Sequence, residues 1–199
     1  MSKFFRPGDE REILAAKWEL EFEETFHFKN FYKLAHEFLF EQGWRDPEDG
    51  GENWEFLYFD RTVPPSGVRE HRIWWRVAYV PNGSQYMRYM MKLDFLTLVM
   101  RKSEVVMNGT KYSTWAGDVI LRVESWIQLD YMNKWQKHPF LKHFDKFFRD
   151  RIYKKYWEAH KKELYNMSYD LNRELKHYLK LKTPVKTPRT FRAEKGVPS

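Results

Sequence analysis

The chain has 199 residues, of which 19% are aromatic and 32% are charged, and it contains no cysteine. This length predicts one domain, with or without terminal extensions, and the lack of cysteine excludes disulfides and thiolate metal sites. No apolar run reaches about 18 residues, and the N-terminus lacks the apolar core of a secretory signal. We therefore expect a cytoplasmic protein without a transmembrane segment.

The charge is divided unevenly along the chain. Residues 1–136 hold 18 Lys and Arg against 21 Asp and Glu, whereas residues 137–199 hold 17 against 7. The C-terminal part therefore carries +10 and the rest −3, which together make the overall +7. Such a split favours an acidic partner, with a solvated helix surface and a polar tail as the alternative.

The first predicted elements are a strand and a short helix. Residues 13–16 are interpreted as a single helical turn. In residues 18–28 apolar side chains alternate with glutamates, which predicts a half-buried strand with a bulge near Glu24. Asn30 is suited to cap the helix that follows, and Gly43 is suited to end it.

The middle of the chain is predicted to form an antiparallel sheet, because short apolar and aromatic runs alternate with turn sequences. Asn82-Gly83 and Asn108-Gly109 favour tight hairpin turns, since both residue types accept positive φ values. The predicted strands are residues 54–61, 71–80, 85–99, 104–107, 110–113 and 119–130.

Residues 139–182 contain no glycine, and Pro139 at their start is their single proline. They therefore predict one long helix, either continuous or kinked, which ends before Pro184. Its apolar residues form two stripes separated by an interruption at residues 158–163. At ~1.5 Å per residue the helix would span about 60 Å, so one half must extend beyond the domain. We predict that residues 140–159 pack in the core and that the half beginning at Leu164 overhangs.

The predicted organisation is an N-terminal extension (1–16), one α+β domain (17–182) and a basic flexible tail (183–199). In the domain a curved antiparallel sheet of about five to six strands packs on the C-terminal helix, in the order β-α-β5-α. This element order resembles the helix-grip fold of START-type lipid-transfer domains and plant pathogenesis-related allergens, over roughly residues 18–178. The resemblance implies a cavity between sheet and helix; another sheet with helices on one face is the alternative.

No sequence pattern indicates an enzyme, a metal or a cofactor. The seven histidines include no pair with metalloprotease spacing, and neither a nucleophile motif nor a Gly-rich phosphate loop occurs. His160 is interpreted as a core or kink histidine. Asp94 lies between apolar residues, where burial would raise its pKa, and the alternative is a solvent-facing Asp94 paired with Arg or Lys.

The glutamates of the first strand predict cross-strand arginine partners, chosen from Arg72, Arg76 and Arg122. Tryptophans stand beside these arginines, Trp74 next to Arg72 and Arg76 and Trp126 next to Arg122. Arginine interleaved with aromatic rings suits stacking on single-stranded bases. Cross-strand aromatic pairing is the alternative.

Three functions remain open, all of them non-enzymatic. In the leading hypothesis the C-terminal helix and tail bind an anionic macromolecule, nucleic acid or ribonucleoprotein, through Lys142, Lys146, Arg151, Lys155, Lys161, Lys176, Lys180, Lys182, Lys186, Arg189 and Arg192. In the second the chain carries a small apolar ligand in a cavity lined by Trp75, Tyr79, Asp94, Phe148, Tyr156 and His160. In the third the overhanging half-helix pairs with its counterpart in a second copy.

Overall fold

A computed structural model of the chain describes residues 9–107 and 110–180, except for the side chains of residues 105–107, 110, 112, 146, 150 and 152. The strands in this part are β1 (Glu12–Phe22), β2 (Thr25–Phe26), β3 (Glu55–Val63), β4 (Val68–Tyr79), β5 (Met87–Met107) and β6 (Thr110–Leu129). The helices are α1 (Phe28–Glu41), α2 (Lys134–Lys137), α3 (Leu141–Phe147) and α4 (Lys154–Tyr178).

The six strands form one antiparallel sheet in the order β1-β6-β5-β4-β3, and β2 pairs with β6. The predicted α+β fold, with an antiparallel sheet and a C-terminal helix, is therefore confirmed. The predicted strands 85–99 and 104–107 are a single strand, β5, which bends where Val99 has a φ of 53°. Gly117 faces this bend, and a Cβ there would lie 2.9 Å from the Leu98 carbonyl oxygen, so the close approach requires glycine.

The start of the chain corrects two local predictions. Residues 13–16 belong to β1 and do not form a helical turn, because pairing with β6 gives their backbone groups partners. The helix α1 begins at Phe28, and its N-cap is His27, whose ring accepts the Asn30 N–H. Gly43 ends α1 as predicted, with a φ of 85°.

The core lies on one face of the sheet, under α1 and α4, which contact each other. The Tyr32 ring of α1 lies 4.6 Å from the Trp75 ring of β4. On the α4 side the Trp18 indole N–H donates to the Ser168 hydroxyl at 2.9 Å. Alternate residues of the strands point to the other, outer face of the sheet, which no helix of the described region covers.

The C-terminal segment is two helices, not one. A π-helical turn at Phe148–Ile152 follows α3, and Tyr153, with φ −100° and ψ 9°, separates it from α4. The interrupted apolar stripe predicted a break at residues 158–163. The break instead lies before them, at Tyr153, and α4 runs through residues 158–163 without a kink. None of the helices in the described residues combines the length and the apolar character needed to cross a membrane.

Burial along this segment is the reverse of the prediction. Leu164, Leu171 and Leu175 are fully buried, whereas Phe140 and Phe144 are 72% and 54% exposed. The reason is that α4 lies across β1 and β6 and beside α1, so the second apolar stripe supplies the helix side of the core. The stripe assigned to self-association is covered within the chain, so the prediction that this half of the helix overhangs the domain is wrong.

Candidate nucleic-acid surface and ligand cleft

The solvent side of α4 carries lysines and tyrosines on one surface. We name it the Lys–Tyr surface and define it by Lys154, Lys155, Lys161, Lys162, Tyr165, Tyr169 and Lys176. Lys154 and Lys161, like Lys155 and Lys162, are seven residues apart, and the other three continue at spacings of three, four and seven. These spacings place them along one side of the helix, next to the side whose leucines face the core.

The charges of α4 are segregated around the helix. Glu163, Asp170 and Glu174 share a different side, since they are separated by seven and four residues. Asp170 accepts from the Arg173 guanidinium at 2.7 Å. Glu158 is the one acid of the helix on the side of the Lys–Tyr surface, which leaves five lysines against a single carboxylate there.

Two tyrosines interrupt the lysines of this surface. The rings of Tyr165 and Tyr169 lie 4.4 Å apart at 33°, and the residues are 44% and 36% exposed. Partial burial, followed by a hydrogen bond with Tyr165, raises the pKa of Tyr169, so its hydroxyl stays neutral at pH 7. The surface therefore presents ammonium groups for phosphates beside an aromatic pair on which a base could stack.

The predicted cations do not all belong to this surface. Lys155, Lys161 and Lys176 do, and Lys180 follows in the turn after α4, while Lys142 and Arg151 lie before the break. The side chain of Lys146 is not described, and Lys182, Lys186, Arg189 and Arg192 lie outside the described residues. Sequence reasoning missed Lys162, Tyr165 and Tyr169, although their i, i+3 and i+7 spacing on a helix was a usable signal.

A cleft of about 410 Å³ opens between α1 and the sheet. Its lining is Phe28, Lys29, Tyr32, Tyr58, Arg69, His71, Ile73, Met100 and Trp115. Arg69 pairs with Asp60 at 2.7 Å, and its guanidinium lies 5.6 Å from the Trp115 ring centre. The cleft thus has mostly aromatic walls and two cationic side chains.

His71 forms a neutral part of the cleft wall. Its ring stacks on Phe28 at 5.1 Å, and Nδ1 lies 2.7 Å from the Thr97 hydroxyl. Burial lowers the pKa of His71 below 6.5, and the Asp60 carboxylate, 3.6 Å from Nε2, only partly opposes it. At pH 7 the imidazole is therefore uncharged, and the positive charge of the cleft comes from Lys29 and Arg69.

The residues predicted to line one cavity are dispersed, which corrects that prediction. Trp75 and Tyr79 belong to the core or pack against it. Asp94 lies on the outer face and accepts from Arg76 at 2.6 Å, which is the alternative weighed from the sequence. Phe148 and Tyr156 line a separate pocket of about 250 Å³ beside α3.

The buried His160 has two polar partners, the Tyr89 hydroxyl in the core and the exposed carboxylate of Glu163. Its Nδ1 lies 2.5 Å from the Tyr89 hydroxyl and 3.1 Å from Glu163 Oε2, and the Tyr89 hydroxyl donates to Glu163 at 2.8 Å. Burial, and then the hydrogen bond to Glu163, raises the pKa of Tyr89. The trio is a satisfied polar contact between β5 and α4, and the described residues contain no group of three metal-ligating side chains.

On the outer face of the sheet, acids and bases pair across strands. The contacts are the Arg122–Glu19 ion pair, the Lys17–Glu124 ion pair at 2.9 Å, Arg76 over the Trp74 ring and Lys92 over the Trp126 ring. Trp74 also stacks on Phe56. Cations and rings engage each other there, so this face fits the cross-strand alternative better than a base-stacking surface.

The described residues therefore hold two features of ligand-binding chemistry, a cationic and aromatic helix surface and an aromatic cleft. They lie on different elements, α4 and the α1–sheet junction, and each can be altered without the other. No protein-family model matches the chain, and no curated protein matches it.

Proposed function

We propose that this chain is a non-enzymatic, cytoplasmic protein that binds single-stranded nucleic acid through the Lys–Tyr surface. The observation that carries the proposal is the alignment of five lysines with the closely spaced Tyr165–Tyr169 pair on one side of α4, where every member but the half-buried Lys176 is exposed. From Lys155 to Lys176, at ~1.5 Å per residue, the surface is about 32 Å long. This length would let several consecutive phosphates meet lysines while bases stack on the tyrosines. The basic residues after position 180 would extend the same contact.

The test is the salt dependence of binding to a fluorescein-labelled single-stranded oligonucleotide, measured by anisotropy. Binding weakens as salt rises, so the slope of log K against log salt is negative. Replacing Lys155, Lys162 and Lys176 by alanine should make this slope less steep by about 2, since each lost phosphate contact contributes about 0.7. The control replaces Lys33, Lys102 and Lys111, three exposed lysines on other elements, and so makes the same charge change. An equal change of slope in both variants would mean that net charge alone explains the effect, and it would contradict the proposal.

The tyrosines separate base stacking from phosphate attraction. Changing Tyr165 and Tyr169 to alanine should weaken single-strand binding by about 1–3 kcal/mol per stacked base and leave duplex binding nearly unchanged. Loss of duplex binding to the same degree would contradict a stacking role. Both side chains are exposed, so the variant is expected to remain folded.

The cleft under α1 favours a second candidate function, the carrying of a small aromatic or apolar ligand. A volume of about 410 Å³ lies in the range of small-molecule sites, and the helix-grip resemblance of the element order implies the same class. Native mass spectrometry of the purified chain should then show a bound small molecule. The adduct should vanish in an Arg69→Ala, Trp115→Ala variant and persist in Arg72→Ala, Trp74→Ala, which alters the outer face. The bare chain mass in every preparation would rule this function out.

A further inference from the structure

The helix α3 has its polar and apolar sides reversed relative to the body of the protein. Phe140 is the N-cap of α3, and Phe144 and Phe147 lie four and seven residues after it, so the three rings share one side of the helix. They are 72%, 54% and 50% exposed. We call this side the Phe face. The most deeply buried residues of the inward side are charged: Asp145 is 2% exposed, and Arg149, in the turn after α3, is 8% exposed. Leu141 and Phe148 on that side are half-buried. Burial of apolar surface cannot explain why three phenylalanines point to solvent.

Polar contacts hold α3 in this orientation. The Tyr86 hydroxyl donates to Asp145 at 2.6 Å, and the carboxylate lies 3.6 Å from the Arg149 guanidinium. Arg149 in turn donates to Glu10 at 3.0 Å. The arrangement fixes the outward direction of the Phe face, since rotating the helix would bury the rings and expose or break these contacts.

The segment that carries the Phe face is cationic. Residues 134–153 contain six Lys and Arg against two Asp, a net charge of +4. Among the described side chains of this segment the exposed charges are all positive, and they belong to Lys134, Lys137, Lys142 and Arg151. Phenylalanine rings bordered by cations are the chemistry of helices that lie in the interface of an anionic lipid layer.

We propose that the Phe face docks on an anionic membrane surface, with its three rings at the boundary between headgroups and acyl chains and the nearby cations on the headgroups. A second copy of the chain is disfavoured because two segments of +4 would repel each other. The proposal goes beyond nucleic-acid binding and does not depend on the Lys–Tyr surface.

The experiment uses the absence of cysteine from the sequence, which allows one introduced thiol to be labelled with the environment-sensitive dye NBD. Phe144→Cys places the dye on the Phe face, and Phe59→Cys places it at an exposed aromatic position of β3 as the matched control. Vesicles of phosphatidylcholine with phosphatidylserine should raise and blue-shift the emission at position 144 but not at position 59. Vesicles of phosphatidylcholine alone should give a much weaker response.

Unlabelled variants give the affinity by vesicle flotation. The triple change Phe140→Ala, Phe144→Ala, Phe147→Ala should weaken binding by about 100-fold, since each ring loses its apolar burial. Lys142→Glu with Arg151→Glu should weaken it by about 30-fold or more, since two cations are lost and two anions are introduced. The proposal is overturned by equal emission changes at both label positions, by an equal response to neutral vesicles, or by no response to vesicles. An emission change at position 144 caused by a single-stranded oligonucleotide, or by raised protein concentration alone, assigns the Phe face to those partners and likewise overturns it.

Discussion

Replacing Leu171 by alanine is expected to lower the free energy of unfolding by about 2–5 kcal/mol, the range for a fully buried leucine. Leu171 has no exposed surface and lies in the core cluster between α4 and the sheet. Urea denaturation followed by tryptophan fluorescence measures the change, with an unchanged m-value as the sign that both states keep their compactness.

The matched control for Leu171→Ala is Phe144→Ala. Phe144 is 54% exposed, so its loss should change stability by only about 0.5 kcal/mol or less, although it removes the larger side chain. This pair tests which half of the C-terminal segment belongs to the core, because the sequence predicts the opposite order. A larger loss for Phe144→Ala would show that α3, and not the second half of α4, packs in the core.

Replacing Asp145 by alanine is expected to cost about 3 kcal/mol, since breaking a buried ion pair leaves an uncompensated charge. Arg149 would keep Glu10 as a partner, which holds the loss near the lower end of that range, and the Tyr86 hydroxyl would lose its acceptor. The change should also release α3, so backbone amides of residues 141–147 should exchange with solvent faster. Hydrogen exchange with mass spectrometry measures both the local and the global effect.

The control for Asp145→Ala is Asp170→Ala, which removes an exposed ion pair on α4. Asp170 pairs with Arg173 at 2.7 Å, yet both are accessible, and the expected loss is about 0.5 kcal/mol or less. A further variant, Asp145→Asn, keeps a hydrogen-bond acceptor for the Tyr86 hydroxyl but removes the negative charge. Burial, and then the hydrogen bond to Asp145 and its charge, raise the pKa of Tyr86. Equal losses for Asp145→Ala and Asp170→Ala would mean that the buried contact contributes little.

Much of the fold could be predicted from local patterns. Alternation of period two identified β1, β4 and β6, because a strand with one buried face needs an apolar residue at every second position. Gly43 ends α1 as expected, since a positive φ after the last turn favours glycine. The inner position of Trp75 and the outer position of Trp74 followed from the same alternation.

The candidate sites were predicted only in part. Helical spacing was enough to align Lys155 with Lys176, because it depends on residues within one element. The cleft could not be predicted, since Phe28, Arg69 and Trp115 come from three distant parts of the chain and meet only through the pairing of β4, β5 and β6. The outer position of Asp94 follows from alternation, since Leu93 and Phe95 beside it are buried, whereas its contact with Arg76 depended on the register of β4 and β5.

The local pattern of residues 139–182 was enough to predict a largely helical, basic segment with two apolar stripes. The position of the helix break and the choice of the buried stripe depend on tertiary contacts. Both stripes have the spacing of a core-facing helix, so local pattern could not rank them. The choice follows from long-range contacts: α4 fits across β1 and β6 beside α1, whereas α3 is held by Tyr86 and Glu10 with its phenylalanines turned outward.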